Sequence, residues 1–134
     1  MPALEVNPSP GFRDRPEHTI TVEPFGGVVN VTFRDVTIAS TGRAKLLREA
    51  NYKPVLYIPF EDIHFVHLEK TGTTTLCPFK GDASYWSVKG RDEAAKDAMW
   101  AYQHPYDEML EIKDHGAFYP DRVVIDATEE SHAR

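Results

Sequence analysis

The sequence predicts a mainly β, single-domain protein of antiparallel strands with one or two short helices, and three observations carry that prediction. Short runs alternate with period two, glycine and proline signals separate them at short intervals, and long stretches of helical periodicity are scarce. A chain of 134 residues with 41% hydrophobic and 27% charged content is ordinary globular composition. At that length roughly two-thirds of the unfolded surface can be buried, enough for a core without disulfides.

Residues 1–17 hold four prolines and no hydrophobic period, so they read as a flexible arm before a β-rich domain spanning 18–127. Thr19 to Val22 alternates, Gly26-Gly27 breaks the run, and Val29, Val31 and Phe33 share one side of the next strand. The Phe33-Arg34-Asp35 corner leads into Val36 and Ile38. Ser40 or Thr41 is placed to cap a short helix from Gly42 to Ala50, with Leu46, Leu47 and Ala50 on one side. Pro54 forbids its continuation. Val55 to Ile58 is the next strand, Pro59 sets its end at an edge or bend, and Ile63 to Leu68 resumes extended structure.

Thr71-Gly72 reads as a turn into a strand from Thr73 to Phe79, and Ser84 to Val88 forms another that Lys89-Gly90 closes. For Asp92 to Tyr102, propensity favours helix, whereas Trp100 and Tyr102 alternate as in a strand. Asp107 to Ile112 is predicted as one or two helical turns, Ala117 to Tyr119 and Val123 to Ile125 as strands, and 128–134 as a frayed tail.

Several blocks together resemble a known bacterial family. Tyr57-Ile58-Pro59-Phe60-Glu61-Asp62, Cys77-Pro78-Phe79-Lys80-Gly81-Asp82-Ala83-Ser84-Tyr85-Trp86, Trp100-Ala101-Tyr102-Gln103-His104-Pro105 and Gly116-Ala117-Phe118-Tyr119 look like the DUF427 family, sometimes labelled nucleotidyltransferase-like. The resemblance runs from about Val29 to Ile125. It implies two small antiparallel sheets packed at an angle, as in β-tent proteins, and implies that Ala98 to Tyr102 is strand. Many β-tent proteins hold zinc between two cysteine pairs. Here Cys77 is the lone cysteine, too few for a shell of four Cys/His ligands, and the sheets are expected to be held by packing.

Composition also narrows the function. Acids outnumber bases 21 to 15 for a net charge of −6, against a general nucleic-acid or anionic-membrane surface. One cysteine makes no internal disulfide, no apolar run is long enough to span a membrane, and the N-terminus lacks a secretory signal, so the expected location is cytoplasmic. His64 and His67, three apart in an extended run, face opposite sides, and with His104 and His115 scattered no metal site is expected. No cofactor is called for.

The candidate site centres on the Cys77 to Trp86 block. Lys80-Gly81-Asp82 reads either as an anion cradle, with glycine admitting backbone N–H groups and lysine supplying charge, or as a solvated turn. Cys77 and Asp62 are the candidates for chemistry. Cys77 needs a neighbouring cation, for which Lys80 is nearest, and otherwise is a buried inert thiol. Glu49, Glu61 and Asp62 offer a carboxylate pair only if folding unites them. Tyr85 and Trp86, adjacent in a strand, point to opposite faces, so only one lies between the sheets. The expected activity is binding of a small, including anionic, molecule by Tyr57, Lys80, Gly81, Tyr85, Trp86, Trp100 and Tyr102. A transferase-like enzyme in the same pocket and a protein-interaction module working through a sheet edge are the alternatives.

Overall fold

Among the described residues, alternating apolar positions in ten short strands need two surfaces to bury them, and two antiparallel sheets provide them. The computed structural model describes residues 6–129. Its strands are β1 (Ile20–Pro24), β2 (Gly27–Phe33), β3 (Val36–Thr41), β4 (Lys45–Glu49), β5 (Val55–Pro59), β6 (Leu68–Cys77), β7 (Gly81–Val88), β8 (Ala95–Ala101), β9 (His115–Phe118) and β10 (Val124–Glu129). A five-residue helix, α1 (Pro10–Asp14), precedes them. Short 3-10 helices cover Phe60–Asp62, Phe65–His67 and Asp107–Ile112. Seven strands form one sheet in the order β1-β4-β5-β9-β8-β7-β6, and β10-β2-β3 form the other.

Strand periodicity gives the larger sheet two apolar faces. On the face toward the small sheet, Val29, Val31 and Ile38 meet Ile58, Trp86, Val88, Met99 and Phe118 in one buried cluster. On the opposite face Leu47, Tyr57, Ala83, Tyr85, Tyr102 and Ala117 form a second cluster, closed by Met109 and Ile112 of the third 3-10 helix. Tyr85 and Trp86 therefore serve different cores, as strand alternation requires. The corner at Arg34 (φ 52°) and Asp35 (φ 67°) is a two-residue hairpin loop in which both residues take positive φ.

Several local expectations are corrected. The helix from Gly42 to Ala50 is absent, and Lys45–Glu49 is strand, paired with β1 and β5. Thr41, rather than capping a helix, donates to Asp62 through Oγ1 at 2.6 Å. The Thr71-Gly72 turn is instead a register shift inside β6, between Lys70 and Thr74. Phe65–His67 is 3-10 rather than extended. The strand that the family resemblance implies for Ala98 to Tyr102 is present as Ala95–Ala101, where pairing with β7 and β9 overrides the helix propensity of the stretch.

The N-terminal arm lies against the body. Ser9 caps α1 and donates from Oγ to the Pro78 carbonyl at 3.0 Å, and the Gly11 N–H reaches the same carbonyl at 2.8 Å. Thr128 and Glu129, counted in the expected tail, pair with Val28 and Gly27, while 1–5 and 130–134 lie outside the described residues.

Candidate functional site

The second apolar face is not completely filled. Strand register sets Tyr85 of β7 opposite Trp100 of β8, and Trp100 opposite Ala117 of β9. The small Ala117 leaves room beside the indole. Around that space lies a cavity of about 220 Å3 whose walls include Tyr57, Lys80, Tyr85, Trp100 and Tyr102. Five of the seven side chains predicted to bind a ligand are thus brought together from β5, β7, β8 and the turns flanking them. Leu47, Glu49, Tyr52, Lys53, Val55 and Tyr119 complete the lining.

The other two predicted binders are elsewhere. Trp86 is buried in the core between the sheets, edge-on to Phe60 and Phe65. Gly81, at φ +124°, is where the backbone passes close to the 104–106 segment; an added Cβ would stand 3.3 Å from the Pro105 Cα. Its freedom serves that close approach.

The candidates for chemistry also lie outside the lining. Asp62 accepts from Thr41 and from Arg43 at 3.2 Å, and the Thr41 hydroxyl chiefly holds its carboxyl below the usual range. Cys77 packs half-buried against the second core. Lys80 is not free to activate it, because its ammonium is committed to another partner.

That partner is Glu49. Lys80 Nζ donates to Glu49 Oε1 at 2.6 Å, and His18 Nε2 lies 2.8 Å from the other carboxylate oxygen. Both members of the pair are largely buried, with side-chain exposures of 10% and 14%. Burial pushes the Glu49 carboxyl up, but the Lys80 and His18 hydrogen bonds outweigh it and leave it below its ordinary value. Lys80 is therefore neither of the two things predicted for it, a solvated turn residue or the free cation of a cradle.

The aromatic walls are mutually braced. Trp100 Nε1 donates to the Tyr57 hydroxyl at 3.2 Å, the two rings meet edge to face at 89°, and Tyr119 lies 4.5 Å from the indole. Tyr85 Oη and Thr75 Oγ1 are 2.9 Å apart. Burial drives the Tyr57 and Tyr102 phenols well up, and Tyr119, raised by burial and then by the Tyr85 hydroxyl, reaches about 12. All three stay protonated near neutral pH and keep a hydroxyl to donate.

A family model described as Domain of unknown function (DUF427) matches residues 21–130. The chain belongs to the DUF427 family. A comparison with curated proteins finds no match. In this DUF427 chain, among the described residues, no helix is long and apolar enough to cross a membrane, and no three His, Cys, Asp or Glu side chains gather as metal ligands.

The role of Glu49 and the place of Tyr119 in the lining escape the sequence for different reasons. Glu49 is offered by the sequence only as a possible carboxylate partner of Glu61 or Asp62, and its actual pairing, with a lysine 31 residues away, leaves no local signal. Tyr119 was visible: it adjoins Phe118, and once Phe118 is assigned to the core between the sheets, alternation sends Tyr119 to the other side. A larger depression of about 640 Å3, between Phe33 and the 89–93 segment, contains none of the predicted residues. Arg34 and Glu93 at its wall are already paired with each other.

Proposed function

We propose that this DUF427 chain is a cytoplasmic binding protein for a small planar molecule held in the aromatic cavity beside Lys80. The observation that carries the reading is the convergence of Tyr57, Tyr85, Trp100, Tyr102 and Tyr119 on one space of about 220 Å3, with a buried ion pair at its wall. Rings with hydroxyl and indole N–H groups offer stacking and oriented donors together, the usual composition of a small-molecule site. The volume falls below that of pockets for drug-sized ligands and suits one or two rings.

The two tryptophans provide the test. Trp100 lines the cavity and Trp86 is on the far side of the sheet, so a bound ring should change the emission of Trp100 alone. Titration of benzoate, benzamide and indole into wild type, Trp100→Phe and Trp86→Phe should give a saturable change in wild type and Trp86→Phe that Trp100→Phe loses. No saturable response to any probe, or one that persists in Trp100→Phe, would end the reading.

A further inference from the structure

The unused hydrogen-bonding capacity of the cavity is richer in donors than in acceptors. The Tyr102 side chain is 7% exposed and its hydroxyl has no hydrogen-bond partner among the described residues. Among the described residues no fully buried polar side-chain atom is left unpaired, so that oxygen keeps some exposure, and Tyr102 is part of the cavity lining. The Tyr57 oxygen already accepts from Trp100, so its own proton is available to another acceptor. Lys80 uses one N–H on Glu49 and keeps two. The one carboxylate in the lining, Glu49, already holds Lys80 on one oxygen and His18 on the other, which leaves about two of its four lone-pair sites.

Charge adds a second constraint. Glu49 and Lys80 balance one another, which leaves the exposed Lys53 as the remaining charged group of the lining, with no ion-pair partner among the described residues. The net charge facing a ligand is therefore about one positive unit, which a monoanion matches. A dianion such as phosphate would bring its second charge toward Glu49 without a cation to offset it.

Resting on the ligand-binding reading above, we infer that the ligand of this cavity is a small planar monocarboxylic acid. Its ring lies against Trp100 and Tyr119, and its carboxylate accepts from the Tyr57 and Tyr102 hydroxyls and from Lys80, with Lys53 at the mouth. A carboxylate has about four lone-pair sites, enough for these donors. A quaternary ammonium, the other common guest of aromatic cages, meets here an ammonium and hydroxyl donors with no free carboxylate.

The test is calorimetric titration of benzoate, benzamide, benzyltrimethylammonium and inorganic phosphate into wild type, Tyr102→Phe and Lys53→Gln. Benzoate should bind at least tenfold more tightly than benzamide or phosphate, and the quaternary ammonium should not bind. Tyr102→Phe and Lys53→Gln should each weaken benzoate about five- to tenfold and leave benzamide within a factor of two for Lys53→Gln. Equal binding of benzoate and benzamide, or preference for the cation or phosphate, overturns the acid assignment while leaving the pocket itself standing. Silence from all four probes in protein that melts cooperatively removes the pocket reading, and the acid assignment with it.

Discussion

At the scale of single residues, Lys80 shows how a site and a stability element become one group. Removing one partner of a buried ion pair strands the other charge, which costs several kcal/mol. Lys80→Met should therefore lower stability by about 3 kcal/mol, toward the low end because His18 still holds one Glu49 oxygen. The double variant Lys80→Met/Glu49→Leu should recover most of that loss, since no buried charge is left unpaired. Urea midpoints decide it, and a loss under about 1 kcal/mol for the single variant would make the pair no better than a surface one. Four aromatic members of the site, Tyr57, Tyr85, Trp100 and Tyr102, were legible as rings in strand-like blocks, but alternation gives only relative faces, so the sequence groups Trp86 with them although it serves the other core. The role of Glu49 was not legible, because nothing local distinguishes a carboxylate that will meet a lysine in a distant turn from one that stays solvated.

At the scale of elements, the strands legible from their own pattern are those whose pattern agrees with their packing, and where propensity and pairing conflict the pattern misleads at β4 and decides nothing at β8, which the family resemblance assigns to strand. Lys45–Glu49 and Ala95–Ala101 hold good helix formers, yet each is hydrogen-bonded between two strands. Helix preference differs by only about 0.7 kcal/mol per ordinary residue, too little to resist two ladders and a buried face. Conflict leaves a mark in β8, where Asp97 takes a positive φ of 48° and its carboxylate accepts from the Thr71 and Thr73 hydroxyls at 2.7 and 2.8 Å. These bonds tie β8 to the irregular part of β6. Asp97→Asn, which tolerates positive φ, should cost about 1–2 kcal/mol, and Asp97→Ala, which loses the bonds and strains the backbone, about 3 kcal/mol. Asp97→Gly should fall between them if backbone strain contributes, and equal losses for Ala and Gly would show that it does not. The arm gives a parallel case. A Cβ at Gly11 would stand 2.6 Å from the Phe79 ring and 2.8 Å from the Pro78 carbonyl oxygen. Gly11→Val should therefore release α1, raising proteolysis and amide exchange in the arm, while the sheets keep their protection; unchanged exchange at residues 9–15 would contradict the docking.

At the scale of the whole molecule, two cores on one sheet explain why a domain with a single cysteine needs no staple, and they also set its response to acid. Burial, the largest influence on His115, lowers its pKa from the ordinary 6.5, against the opposing effect of its hydrogen bond to the Lys113 carbonyl. Lys45 also lowers it, while Glu61 and Asp114 act in the other direction. The unfolded chain then binds a proton at this histidine more readily than the folded one, so stability falls as pH drops through about 6.5. Glu49, Asp62 and Asp97 are carboxylates lowered from ordinary values of 4.5, 3.8 and 3.8. Their contribution is present above those values and disappears as pH falls below them, because the unfolded chain again takes up protons first. Both groups act in the same direction but in separate windows. The urea midpoint should therefore be level above about pH 7.5, decline gently to about pH 5.5, and fall steeply below about pH 4.5. In His115→Gln the upper decline should vanish while the lower one persists, and in Lys80→Met the lower one should shrink, because Glu49 loses the lysine that favours its ionised form. A wild-type midpoint that stays constant or rises from pH 7.5 to 5.5 would mean that burial beside β5 does not lower the His115 pKa.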